Sequence, residues 1–314
     1  MTDPVTDPRA TLAPDVLDAL RVACAAARAA ADDDLLELAR LRSAALLGAA
    51  AEAGARPWGI VAPEKLAALD RWPTAEVFDE RDRAALALTE QFVLDVTGVA
   101  TGPLGPAATS MGASVVPFVQ GLYLLDVGQR VAVVLGQLFD TTVTSDDWAW
   151  PADDAPVPDD PMEAVMTLLA TIGRGRAVDL VTAELVRLRG ARLHRCRRCQ
   201  SVRSVAALEA GADLDLLAAD DPAAVADLDG ASRAALALVD ATFLGPPSLD
   251  DALVAELRTS FDGAQLVGLI GYLLRNAANK VAVAFGADAA IVTEGFEYQV
   301  IDAAGETITV DAPA

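Results

Sequence analysis

The sequence predicts an all-α protein built from two tandem copies of one helical unit, closed by a short extended or hairpin C-terminal tail. Three observations carry that expectation. Hydrophobic residues fill 53% of the 314 positions while aromatics fill only 5%, so the apolar content is mostly Ala, Val and Leu. Ala and Leu enter helices at little entropic cost. A stretch of the first half recurs in the second half in one register, and apolar residues within the copies follow the helical period.

Composition also bounds the function. With 24 basic against 46 acidic residues the formal net charge is −22, which argues against nucleic acid as a partner, because a phosphate backbone repels an acidic surface. Three cysteines do not make a secreted disulfide framework. The start, MTDPVTDPRATLAPD, has no basic region followed by an apolar core. No uncharged apolar run reaches the roughly 18–20 residues of a bilayer span. A cytoplasmic protein without a membrane partner is expected.

Taken in order, residues 1–144 form the first copy. Residues 35–48 read LLELARLRSAALLG and residues 182–195 read TAELVRLRGARLHR, and aligning Glu37 with Glu184 superposes E-L-x-R-L-R at an offset of 147. RAALAL at Arg83–Leu88 recurs at Arg233–Leu238 at an offset of 150. The same register pairs Gly121 with Gly271, Arg130 with Lys280, Val131 with Val281 and Gly136 with Gly286. Residues 145–161, SDDWAWPADDAPVPDDP, cannot continue a helix and read as an extended Pro/Asp-rich linker. Trp148 and Trp150 are expected to pack that linker onto a domain.

Residues 162–290 form the second copy. Val181, Leu185 and Leu188 make an apolar stripe, and Gly190 is placed to stop that helix. Asp229 to Ser232 suits a helix start ahead of Ala235, Leu238 and Val239. Leu266 to Phe285 is apolar nearly all round and predicts the central buried helix of its unit, with Asn276 and Asn279 as satisfied amides. Residues 291–314, rich in β-branched and aromatic residues around Ala-Ala-Gly-Glu, predict a hairpin or an extended arm.

Chemistry concentrates in GARLHRCRRCQSVRSVAALEAG, residues 190–211. Cys196 and Cys199, spaced C-x-x-C, fall on one face of a helix or of its first turn and can close a small disulfide. Arg187, Arg189, Arg192, Arg195, Arg197, Arg198 and Arg203 crowd a short stretch around the two cysteines, and fixed positive charge favours the thiolate, which is the nucleophile. A structural zinc site would need two further ligands; only Cys24 and His194 remain as soft donors, and neither is well placed. No metal or cofactor is therefore expected, and no nucleotide-binding Gly pattern or Ser-His-Asp set is evident. Cys24 reads as a small buried hydrophobe.

The segment from Glu184 through Leu185-Val186-Arg187-Leu188-Arg189 to Cys196-Arg197-Arg198-Cys199, then Ala206-Ala207 and Gly211, resembles the AhpD-like alkylhydroperoxidases of the carboxymuconolactone decarboxylase superfamily. Similarity continues through Ser232–Leu238 and the helix ending near Phe285-Gly286, and with the weaker first copy it covers most of residues 35–286. The family pattern places an acidic residue twelve positions before a C-x-x-C and a His four after the second Cys; Glu184 keeps the first spacing, and Arg203 stands in the His position. The resemblance implies an all-α fold that dimerises or trimerises, with a dimer favoured. It also implies reduction of a hydroperoxide by a thiol relay that an external dithiol resets. Carried across, Cys199 is the peroxidatic thiol, Cys196 the resolving thiol and Glu184 the proton carrier.

Arg203 changes that scheme. Four residues past Cys199 on a helix, its guanidinium would lie over the same face and stabilise a thiolate, yet it cannot release a proton near neutral pH. An ion pair between Glu184 and Arg203 would hold the carboxyl ionised and spoil it as an acid. In the first copy Ala49, Glu52 and Arg56 stand where Cys196, Cys199 and Arg203 do. That copy reads as a scaffold, with Glu37 paired to Arg40, leaving one active site per chain. The alternative is a non-catalytic helical scaffold, or a redox-sensing interaction protein whose C-x-x-C is a disulfide staple. Decarboxylation or lactone chemistry is a weaker third reading, since His194 is the only imidazole.

Overall fold

The computed structural model describes residues 13–152, 155–175, 178–219 and 228–312. The first twelve residues and Asp153-Asp154 of the linker lie outside that set. The first copy contributes α1 (Pro14–Ala30), α2 (Asp33–Leu47), α3 (Pro63–Leu66), α4 (Glu80–Leu94), α5 (Leu104–Met111) and α6 (Val115–Phe139), and the linker opens with α7 (Ser145–Trp148). The second contributes α8 (Pro161–Arg174), α9 (Leu180–Leu193), α10 (Arg197–Ser201), α11 (Val205–Glu209), α12 (Leu214–Ala218), α13 (Gly230–Phe243), α14 (Asp251–Ser260), α15 (Gly263–Asn276) and α16 (Asn279–Ala284). Three short strands, β1 (Val202–Ser204), β2 (Glu297–Ile301) and β3 (Thr307–Val310), make a small sheet. The protein is mostly α-helical with a short strand tail, as the sequence predicts.

Helix caps recur at the offsets read from the sequence. Asp32 accepts hydrogen bonds from the backbone N–H groups of Asp34 and Leu35 to start α2, and Asp179, 147 residues on, accepts from Thr182 to start α9. Asp79 and Asp229, 150 residues apart, start α4 and α13 in the same way. Both α1 and α8 open with a proline, whose missing N–H costs nothing at a first turn. These two equivalent helices pack on each other. The central α6 packs on α13, α15 and α16, so one hydrophobic core runs through both copies. By length and composition Leu104–Phe139 could cross a membrane, but 89% of its apolar window is buried inside the protein.

Four local expectations need correction. The helix through Gly190 does not stop there but runs to Leu193. The apolar rod Leu266–Phe285 is not one helix: its chain tightens at Ala277-Ala278, where Lys280 N–H bonds to the Ala277 carbonyl and Val281 N–H to that of Ala278, before resuming as α16. Among the described residues Asn276 Nδ2 is buried without a partner, whereas Asn279 pairs with His194. The linker begins with a helical turn because Thr144 and Asp147 cap one another reciprocally. Its tryptophans do anchor it. Trp148 is buried over Gly128, where an added Cβ would come within 2.5 Å of the ring, and Trp150 stacks between the Arg28 and Arg56 guanidiniums at 3.8 and 3.7 Å.

The tail forms the expected hairpin, with Tyr298 opposite Val310 and Ile301 opposite Thr307. It folds back on its own chain. β2 pairs in parallel with β1, Arg203 opposite Tyr298, and the hairpin turn seats on α8 at Gly305. There φ is +86° and an added Cβ would overlap the Ala170 carbonyl oxygen.

Candidate functional site

The site grows from the end of α9. Arg195 takes a left-handed backbone (φ +51°), its N–H bonds to the Arg192 carbonyl, and the N–H of Cys196 bonds to the Ala191 carbonyl at 2.9 Å. That pair of bonds is a Schellman stop. In the first copy the equivalent residue is Gly48 (φ +69°), with Ala49 N–H bonded to the Ala44 carbonyl. The stop reverses the chain and makes Cys196 the N-cap of α10, one turn before Cys199. Asp288 fixes this turn: its carboxylate accepts from the Arg197 backbone N–H and from the Arg197 guanidinium at 2.7 Å, and its carbonyl accepts from Arg198 N–H. The Arg197 hydrogen bond holds the Asp288 carboxyl below its usual range.

Cys196 and Cys199 are joined as a disulfide with their Cα atoms 5.3 Å apart. The two sulfurs differ in access. Cys196 is 1% exposed, whereas Cys199 is only half-buried and lines a cavity of about 310 Å³. That cavity is walled by α8 on one side and by α15 and α16 on the other. Cys24, the third cysteine, is fully buried and burial pushes its thiol up to about 12.

Glu184 is buried and held by a two-pronged ion pair, Arg187 Nε and Nη2 each 2.7 Å from a carboxylate oxygen. It also accepts from Ser204 N–H at 3.0 Å. Arg187 continues to the carbonyls of Cys199 (2.9 Å) and Val202 (2.7 Å). Glu184 therefore acts on the cysteine turn through Arg187. Its own side opens on a separate cavity of about 150 Å³ shared with Tyr272 and the hairpin. The expected partner Arg203 is elsewhere. The chain leaves the helix at Val202 for β1, so Arg203 is not on the helix face of Cys199. Its guanidinium bonds to the Gln200 and Val202 carbonyls and stacks 3.8 Å over Phe296. Burial, with Arg187 adding to it, lowers its pKa to about 10.

The first copy repeats this design without sulfur. Arg40 grips Glu37 with two bonds of 2.8 Å and donates to the Glu52 carbonyl, the counterpart of that of Cys199. The Glu52 carboxylate then fills the sulfur's place, bonding Arg40 and Ser145 at 2.8 Å each. Glu37 is paired with Arg40 as expected.

Several groups near the site are not evident from sequence. Arg275 and Asn276 reach the Cys199 cavity from α15, and Gln299 and Thr307 from the hairpin. His194 Nδ1 pairs with Asn279 Oδ1 at 2.8 Å, its ring meets Phe243 edge-on, and burial pushes its pKa down to about 3. The imidazole is thus neutral near pH 7. Beyond it, Asp126 is gripped by Arg130 at 2.8 Å and by Lys280, two residues in matching positions of the two copies. Among the described residues no three His, Cys, Asp or Glu side chains form a metal-binding group.

No family model matches the chain, and no solved structure does. Over 228 residues, 70% of this chain and 78% of the relative, it is 35% identical to the uncharacterized protein Rv2313c of Mycobacterium tuberculosis strain H37Rv, and equally to MT2376 of strain CDC 1551. The chain belongs to one protein family with these mycobacterial proteins.

Proposed function

We propose that the second copy is a thiol-dependent hydroperoxide reductase of the AhpD-like type, an oxidoreductase with one redox-active C-x-x-C per chain. One observation supports this most: two sulfurs close enough to bond, of which Cys199 faces a cavity edged by guanidinium groups while Cys196 is sealed behind it. The Cys199 thiolate attacks the distal oxygen of the hydroperoxide. The S–O bond forms, the O–O bond breaks, and the alkoxide leaves with a proton. Glu184 is neutralised by Arg187 on the far side of that arginine, so solvent supplies the proton. The Cys196 thiol then attacks the sulfenic acid, the disulfide forms and water departs. An external dithiol returns two electrons and two protons by thiol–disulfide exchange. Glu184 and Arg187 act as positioning residues for the turn that carries Cys199.

The test uses the reduced full-length chain and cumene hydroperoxide. Two of three thiols should disappear, buried Cys24 should persist, and peroxide consumption should continue while dithiothreitol lasts. Cys199→Ser should lose at least 100-fold in rate. Without an added thiol, Cys196→Ser should stop after one turnover with a sulfenic acid that dimedone traps. Thiol loss without sustained consumption would instead select the staple reading, and unreactive thiols would defeat both.

A further inference from the structure

The cavity beside Cys199 contains two guanidinium groups that no carboxylate neutralises. The guanidinium of Arg198, exposed at its mouth, makes no hydrogen bond or ion pair among the described residues. Arg275 donates Nε to the Leu169 carbonyl at 3.0 Å and Nη2 to the Thr307 hydroxyl at 2.7 Å, and among the described residues it pairs with no acid. Burial lowers its pKa, and the nearby Arg187 charge adds to that shift. The chain has 46 acidic residues for 24 basic ones, and Arg187, Arg189 and Arg197 have all found carboxylates. Two cations left in one cavity therefore call for an anion from outside.

The remaining walls say what the anion is attached to. Met162, Val165, Met166 and Leu169 of α8 face the same space with Val281 of α16. Beside Arg275, Asn276 Nδ2 is buried without an acceptor among the described residues, a further donor for an oxygen-rich group. A volume of about 310 Å³ is at the small end of the range for organic ligands.

We propose that this cavity binds an aliphatic carboxylate, its head on Arg198 and Arg275 and its chain along α8, so that the hydroperoxide reduced at Cys199 is an anionic organic one. The substrate assignment rests on the peroxidase reading; the carboxylate site does not. In the Cys196→Ser variant, where Cys199 is free and Cys24 is sealed, octanoate should slow iodoacetamide alkylation of Cys199 at least five-fold at saturation. Octanol should not. Arg275→Gln should raise the octanoate concentration needed for half-protection at least ten-fold, and Arg198→Gln, at an exposed position, several-fold. Oxidation of the wild-type protein by tert-butyl hydroperoxide, run in parallel, reports on the thiol chemistry separately. Oxidation that octanoate inhibits supports the proposal in full. Protection without any oxidation keeps the carboxylate site and removes the peroxidase. Equal protection by octanol, or none by octanoate, overturns the proposal even if the thiols oxidise.

Discussion

His194 shows how a single side chain links burial to pH. Its pKa is pushed down to about 3, first by burial and then by the nearby Lys280 charge. The unfolded chain would protonate it near pH 6.5. The folded value is the lower one, so stability is complete above about pH 6.5 and falls as the pH drops towards 3. The loss between pH 6.5 and 5 is about 2 kcal/mol. Denaturant midpoints at the two pH values should show it, and His194→Gln should flatten the difference; an unchanged slope would refute the account. At this scale the sequence reveals the C-x-x-C and the Glu37–Arg40 pair, because i,i+3 contacts are local. By the same spacing Arg187 is the natural partner of Glu184. Arg203 misleads because its helix is assumed to continue. Its true conformation depends on β2, nearly a hundred residues away.

Elements carry the next lesson at the stop between α9 and α10. Gly48 and Arg195 occupy equivalent left-handed positions, and a side chain there costs roughly 1–2 kcal/mol that glycine avoids. Arg195→Gly should therefore raise the unfolding free energy by about 1 kcal/mol, read from denaturant melts. A loss of stability would mean that the Arg195 side chain compensates for its backbone. Gly190 offers a tempting stop in sequence, but with Arg at the left-handed residue no composition signal marks the real one. Alignment to the first copy does mark it, since Gly48 falls on Arg195. The cap at Asp229 is legible for the opposite reason: it bonds to an N–H group only three residues on, and local hydrogen bonds leave local signatures. The break at Ala277-Ala278 is not legible, because two alanines are good helix formers and the turn serves contacts that lie in other helices.

At the scale of the whole molecule, the copies are fused through buried polar contacts as well as apolar ones. Asp126 holds Arg130 from its own copy and Lys280 from the other, and Tyr123 donates to the Leu274 carbonyl across the same seam at 2.9 Å. Replacing Asp126 by Leu strands two cations in the core, which costs about 3–5 kcal/mol for a broken buried pair. The lower midpoint should appear as a single transition, since one core serves both copies. A biphasic melt, with the first copy unfolding alone, would contradict that view. The repeat offset predicts that Arg130 and Lys280 are equivalent. It cannot predict that they converge on one carboxylate, because that depends on how the copies pack.

The central claim is that Cys199 is a reactive thiol held partly anionic by neighbouring guanidinium groups. Its most direct test is the rate of iodoacetamide alkylation of the Cys196→Ser protein as a function of pH. The account predicts a midpoint well below the value of a free cysteine, about 8.5. A midpoint at or above that value would contradict it.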